Sequence, residues 1–183
     1  MTKTTEFLRA ASPLLRSQTQ RKISVTSTID ASSLDEPVII ITRMLDAPPE
    51  LVWKAITDPK HVAQWYGGQG FSSPVCEMDV RPGGAWRHVM QAPNGARFTI
   101  NCVFLEVDEP KRLVWKTLKD EKRNPAPPTA VNTVTLETHG LQTKWTLVAR
   151  FDSFAERDIT AGMGFGHMIS KGAERMAEYL KTL

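Results

Sequence analysis

Cysteine is nearly absent from this 183-residue chain: Cys76 and Cys102 are the only two, with no CxxC pair and no histidine at zinc-ligand spacing from either. That excludes a disulfide-stapled scaffold and a zinc finger or ribbon, and leaves two buried free thiols in a reducing compartment as the expectation. Long apolar runs are missing too. The longest, residues 38–41, is far short of the roughly 18 to 20 residues that a membrane-spanning helix needs, so no membrane span is expected. Acidic residues are scarce at the start, where Lys3, Arg9, Arg16, Arg21 and Lys22 face Glu6 alone, so the rest of the chain is close to neutral although the whole carries +3. A body without cationic excess is not that of a nucleic-acid binder. Histidine is limited to His61, His88, His139 and His167, too dispersed to suggest a metal site, and neither a metal nor a redox cofactor is expected.

What remains is globular. At 41% hydrophobic and 23% charged residues, with Trp53, Trp65, Trp86, Trp115 and Trp145 spread along the chain, one domain with a substantial core is predicted. Residues 1–35 stand apart. They are rich in Ser, Thr and Arg, and their one apolar cluster, from Phe7 to Leu15, is interrupted by Pro13. A disordered or loosely docked extension on a cytoplasmic protein is the expectation, and an organelle-targeting segment the alternative. Ile23, Val25 and Ile29 alternate with polar residues, which is compatible with a short extra strand.

From residue 36 the signals sharpen. Residues 38–45 read as a buried strand, ended by Ala47, Pro48 and Pro49, after which Leu51, Val52, Ala55 and Ile56 recur at helical spacing. Asp58 and Pro59 repeat the pattern as N-cap and first residue of a second short helix, which holds Val62 and Trp65 and stops at Gly67 and Gly68. Antiparallel strands follow at residues 76–80, 86–90, 97–107, 113–118, 133–137 and 144–151. A three-residue turn at Pro82, Gly83 and Gly84 predicts the pairs Val80 with Trp86, Met78 with His88 and Cys76 with Met90, with an ion pair of Asp79 and Arg87 on the other face. The Pro-rich connection over residues 119–131 is expected to be a mobile flap or an edge crossing.

From Ser153, an N-cap with Glu156 three residues on, the pattern predicts one long helix. Ile159, Gly162, Gly166, Ile169, Ala173, Met176, Leu180 and Leu183 would form its single buried stripe. Each helical glycine costs about 0.5–1 kcal/mol relative to alanine, so Gly162, Gly164 and Gly166 need a reason. Two are open: close packing of the helix backbone on the sheet, or unfilled volume opposite Trp86, Met90, Phe98 and Trp145 that forms a pocket.

Three segments carry a family resemblance: DAPPELVWKAITDP at residues 46–59, QWYG at 64–67 and CEMDVRPGGAW at 76–86. The chain from about residue 37 to its end resembles the homologues of the activator of the ninety-kilodalton heat-shock-protein ATPase, within the START-like or SRPBCC superfamily. The resemblance implies an α+β helix-grip fold over residues 36–183: a curved antiparallel sheet wrapped around a long C-terminal helix, two short helices after the first strand, and an internal cavity. Members of the superfamily include lipid and hormone carriers, aromatic polyketide cyclases and ring-oxygenase subunits. In the co-chaperone that names the family, a separate N-terminal domain makes most of the chaperone contact, and the 35-residue extension is too short to be that domain.

The function expected is therefore the binding of a small hydrophobic or aromatic molecule in the cavity, with no reaction assigned. A cyclase- or dehydratase-like enzyme using a cavity histidine is one alternative; a chaperone-assisting interaction module is the other. The candidate ligand-binding residues are Trp65, Tyr66, Trp86, His88, Met90, Phe98, Trp145, Gly162, Met163, Gly166 and His167. His88 points inward, where similar proteins usually carry an aromatic such as Phe, and serves either as a satisfied core imidazole or as a ligand-orienting group or base. His167 is either an exposed helix residue or a flank of the pocket. Trp65 and Tyr66 either close the cavity mouth or pack in the core.

Overall fold

A computed structural model describes residues 28–30, 35–120 and 127–183. The targeting or tail function expected of the N-terminal extension lies outside the described residues, as do residues 121–126 of the connection over 119–131 expected to be a flap or an edge crossing.

Among the described residues, eight antiparallel strands form one sheet in the order β1-β2-β8-β7-β6-β5-β4-β3. They are β1 Thr28–Asp30, β2 Val38–Leu45, β3 Ser72–Met78, β4 Ala85–Gln91, β5 Arg97–Asp108, β6 Arg112–Thr117, β7 Val131–His139 and β8 Gln142–Arg150. The helices are α1 Pro49–Thr57, α2 Pro59–Trp65, α3 Phe154–Gly162 and α4 Phe165–Leu180. The last of these lies against the inner face of the curved sheet, which is the helix-grip arrangement. Alternation drives this burial. Along β2, β7 and β8, Ile39, Ile41, Leu45, Val134, Leu136, Trp145, Leu147 and Ala149 all turn inward and are buried. β1 adds a three-residue edge, with Thr28 opposite Thr42.

The two short helices start as their prolines and caps dictate. Pro49 opens α1, and the Asp58 carboxylate accepts from Lys60 N at 2.8 Å to open α2. Trp65 Nε1 donates to the Ala55 carbonyl at 2.9 Å, tying the second helix to the first. α3 begins at Ser153, whose Oγ accepts from Glu156 N at 3.2 Å, while Glu156 Oε2 accepts in return from Asp152 N.

Three local features were not legible in the sequence, and two of them, the β3–β4 register and the break in the terminal helix, correct stated expectations. The β3–β4 register is shifted by two: Met78 lies opposite Trp86, Cys76 opposite His88, and Glu77, not Asp79, opposite Arg87. Asp79 pairs instead with Arg81 at 2.8 Å. The connection is longer than three residues because Asp79 N donates to Ala85 O and Gly84 folds under it, so tightly that a Cβ on Gly84 would lie 1.9 Å from Asp79 O. A slip of two keeps every side chain on its face, so the inward set is unchanged. Second, the long strand does not keep one side to its end. A bulge between Phe104 and Glu106 leaves Leu105 unpaired and exposed, and turns Val107 back towards the core. Third, the terminal helix is not one rod. α3 stops and α4 restarts across Met163 and Gly164, where Gly164 takes φ +81°, a left-handed conformation that β-carbons resist. The predicted stripe is broken accordingly: Ile159 is 55% exposed, whereas Ala173, Met176 and Leu180 are buried.

Candidate functional site

Between the inner face of the sheet and α4 lies a cavity of about 380 Å³. Pockets for small organic ligands commonly span ~300 to 1,000 Å³. Its wall is built by alternation. β4 contributes Trp86 and Met90, β5 Ile100 and Cys102, β6 Leu113, Trp115 and Thr117, β7 Asn132 and Val134, and β8 Trp145 and Leu147. α4 closes the other side with Phe165, Met168, Ile169, Gly172 and Ala173, and α2 adds Val62 and Trp65. The mouth is rimmed by exposed apolar groups, Phe98 at 43% and Met163 at 63% exposure, with Pro127 and Pro128 nearby on the wall.

Seven of the eleven sequence candidates are on this wall: Trp65, Tyr66, Trp86, Met90, Phe98, Trp145 and Met163. Four are not. Gly162 and His167 are exposed and Gly166 is half-buried, all on the outward side of the α3–α4 break. His88 is fully buried but lies behind the wall, its ring centroid 4.8 Å from that of Tyr66 and its Nε2 2.8 Å from Ser73 Oγ. The glycines divide likewise. Beyond Gly162 and Gly164 a Cβ would meet nothing within 4 Å, so neither is there for close packing, and of the two only Gly164 borders the cavity. The close approach falls at Gly172, where a Cβ would sit 3.7 Å from Gly67 O and 4.0 Å from the Trp65 ring. From α4 the cavity is lined by Gly172 and Ala173, and of the three clustered glycines only Gly164 borders it.

Sequence reasoning missed the polar side chains of the wall. Cys102 lies opposite Thr117, and Trp115 opposite Asn132. Asn132 Nδ2 donates to Thr117 Oγ1 at 3.4 Å and to the Ala130 carbonyl at 3.3 Å. A signal existed: Asn132 has the same parity as Val134 and Leu136, but a strand taken to start at residue 133 hides it. Also missed was Arg175. From α4 its Nη1 donates to Gly68 O at 2.8 Å and its Nη2 to Gln64 O at 3.0 Å, with longer contacts to the carbonyls of Tyr66, Gly67 and Phe71. One guanidinium thereby satisfies the carbonyls that end α2 and fixes the segment that places Tyr66 against Trp86, ring centroids 5.3 Å apart.

The electrostatics of the wall are those of a neutral chamber. Among the described residues, no Asp, Glu, Lys, Arg or His lines it. Burial raises the Tyr66 phenol far above its ordinary range and pushes the Cys102 thiol up to about 12, so both stay protonated. Burial lowers the His88 imidazole to about 4, so it stays neutral. No group of three or more His, Cys, Asp or Glu among the described residues is placed to hold a metal ion. No helix among them is long and apolar enough to cross a membrane.

The sequence model of one protein family, described as Activator of Hsp90 ATPase homolog 1-like protein, matches residues 46–183. No protein of curated function matches the chain. Solved structures do. A protein from Nitrosomonas europaea is 30% identical, with a TM-score of 0.72, over 79% of this chain and 94% of its own. One from Mycobacterium smegmatis is 25% identical, with a TM-score of 0.71, over 86% of this chain and 96% of its own. One from Arthrobacter aurescens is 22% identical, with a TM-score of 0.76 over 87% and 92%, a likeness that speaks to fold alone.

Proposed function

The chain belongs to the family of Activator of Hsp90 ATPase homolog 1-like proteins, and from that premise we propose that it binds a small hydrophobic or aromatic molecule between sheet and α4. The observation that carries this reading is the cavity itself: about 380 Å³ walled by aromatic and aliphatic side chains. A void of only ~150 Å³ lined by Leu, Ile and Phe is enough to take up benzene. Open apolar space of this size leaves its lining short of packing contacts, which a guest would restore. The free thiols of Cys76 and Cys102 support placing the protein in a reducing compartment such as the cytoplasm.

The enzyme alternative needs a base on the wall, and His88 stands behind Tyr66 instead. The chaperone-assisting alternative needs a collapsed cavity, and this one is open. Neither has the support that the carrier reading has. The test is titration with the neutral fluorophore N-phenyl-1-naphthylamine. Saturable binding near one equivalent is expected in the native protein. In Ile169→Trp, which fills the α4 side of the cavity, affinity is expected to fall at least tenfold. Equal binding by a natively folded Ile169→Trp, or none by either protein, would overturn the reading.

A further inference from the structure

We infer that the cavity selects an uncharged guest carrying a hydrogen-bonding oxygen, a ketone or hydroxyl, which docks against Tyr66, Thr117 and Asn132. This rests on the carrier reading above and narrows its ligand class. The three side chains come from separate elements, yet all line the one cavity. Tyr66 follows α2 and packs its ring on Trp86; Trp86 lies opposite Cys102, Cys102 opposite Thr117, and Thr117 accepts from Asn132. All five residues are on the cavity wall. They make one polar strip across a surface whose other side chains are hydrocarbon, thioether and indole, apart from the hydroxyl of Thr160.

The strip has hydrogen-bonding capacity to spare. Among the described residues, the Tyr66 hydroxyl has no partner, and Asn132 uses only its amide N–H groups, leaving Oδ1 free to accept. On the same wall, the phenol is a donor to a carbonyl or hydroxyl oxygen, and the amide oxygen is an acceptor for a hydroxyl. A pure hydrocarbon would cover those groups without replacing the water that otherwise serves them. A carboxylate would lose its hydration with no cation on the described wall to receive it, the larger penalty of the two. Neutral, oxygen-bearing and apolar in the main is the class that satisfies every part of the wall.

Three molecules of one shape test this on the full chain by calorimetric titration at pH 7.5: fluorene, 9-fluorenone and fluorene-9-carboxylate. The ketone is expected to bind about fivefold or more tighter than the hydrocarbon, the effect of one net hydrogen bond, and the carboxylate at least a hundredfold weaker than the ketone. Tyr66→Phe, which removes the donor that a ketone oxygen needs, is expected to bring the ketone-to-hydrocarbon ratio towards 1. Equal affinity of ketone and hydrocarbon, a carboxylate as tight as the ketone, or an unchanged ratio in Tyr66→Phe overturns the inference and leaves the binding reading standing. Failure of all three molecules to bind overturns both.

Discussion

A buried imidazole with one partner makes the fold sensitive to acid. His88 is fully shielded, its Nδ1 has no partner, and burial holds its pKa at about 4 against 6.5 for the free side chain. Between those values the unfolded chain takes up a proton that the folded one refuses, so stability falls as pH falls through that window. From pH 7.5 to 5 the contribution is about 2 kcal/mol. Urea unfolding of native protein and His88→Phe at both pH values should show the variant losing about that much less. An equal loss in both would mean that the imidazole accepts its proton in place. Cys102, buried with its thiol pushed up to about 12, is expected to resist alkylation by iodoacetamide at pH 8 until the protein unfolds, as followed by mass spectrometry. At this scale the sequence revealed that His88 faces inward, because alternation fixes parity. It could not reveal that Tyr66 stands between His88 and the hollow, since that depends on a helix end folding over the sheet.

At the scale of single elements, the informative positions are those where a side chain is missing or spans two segments. Gly84→Ala would drive a Cβ to 1.9 Å from Asp79 O, a backbone atom that cannot swing away. A loss of about 3 kcal/mol, at the upper end of what overpacking costs, is expected in denaturant unfolding, against well under half of that for Ser153→Asn at the α3 cap. Arg175→Met keeps the aliphatic stem and removes the donors to the Gln64 and Gly68 carbonyls. It is expected to cost about 2 kcal/mol and to speed amide exchange over residues 66–71 beyond the global change. Helix starts were legible because Pro49, Asp58 with Pro59, and Ser153 with Glu156 each act within one turn. The β3–β4 register and the α3–α4 break were not. Turn length there is set by how Gly84 packs beneath Asp79, and the break by which of three glycines adopts the left-handed conformation.

For the whole molecule, a guest that enters only the folded state must stabilise it. At a concentration one hundred times its dissociation constant, the gain is about 2.7 kcal/mol, read as a raised urea midpoint, and Ile169→Trp should show little of it. An unchanged midpoint in native protein under saturating ligand would mean that the guest binds the unfolded chain as well as the folded one. The order of elements and the antiparallel strands were written in the sequence, and the grip of the sheet on the helix was implied by the family resemblance of residues 46–59, 64–67 and 76–86. Period-two and period-3.6 patterns and proline caps are local properties that survive any tertiary detail. Which inward residues border open space was decided by the tertiary structure alone. A cavity is what remains after curvature, a bulge at Leu105, the approach of Gly172 to Gly67 and the anchoring of the α2 end by Arg175 have fixed the distance between sheet and helix. None of those distances is a property of any one segment.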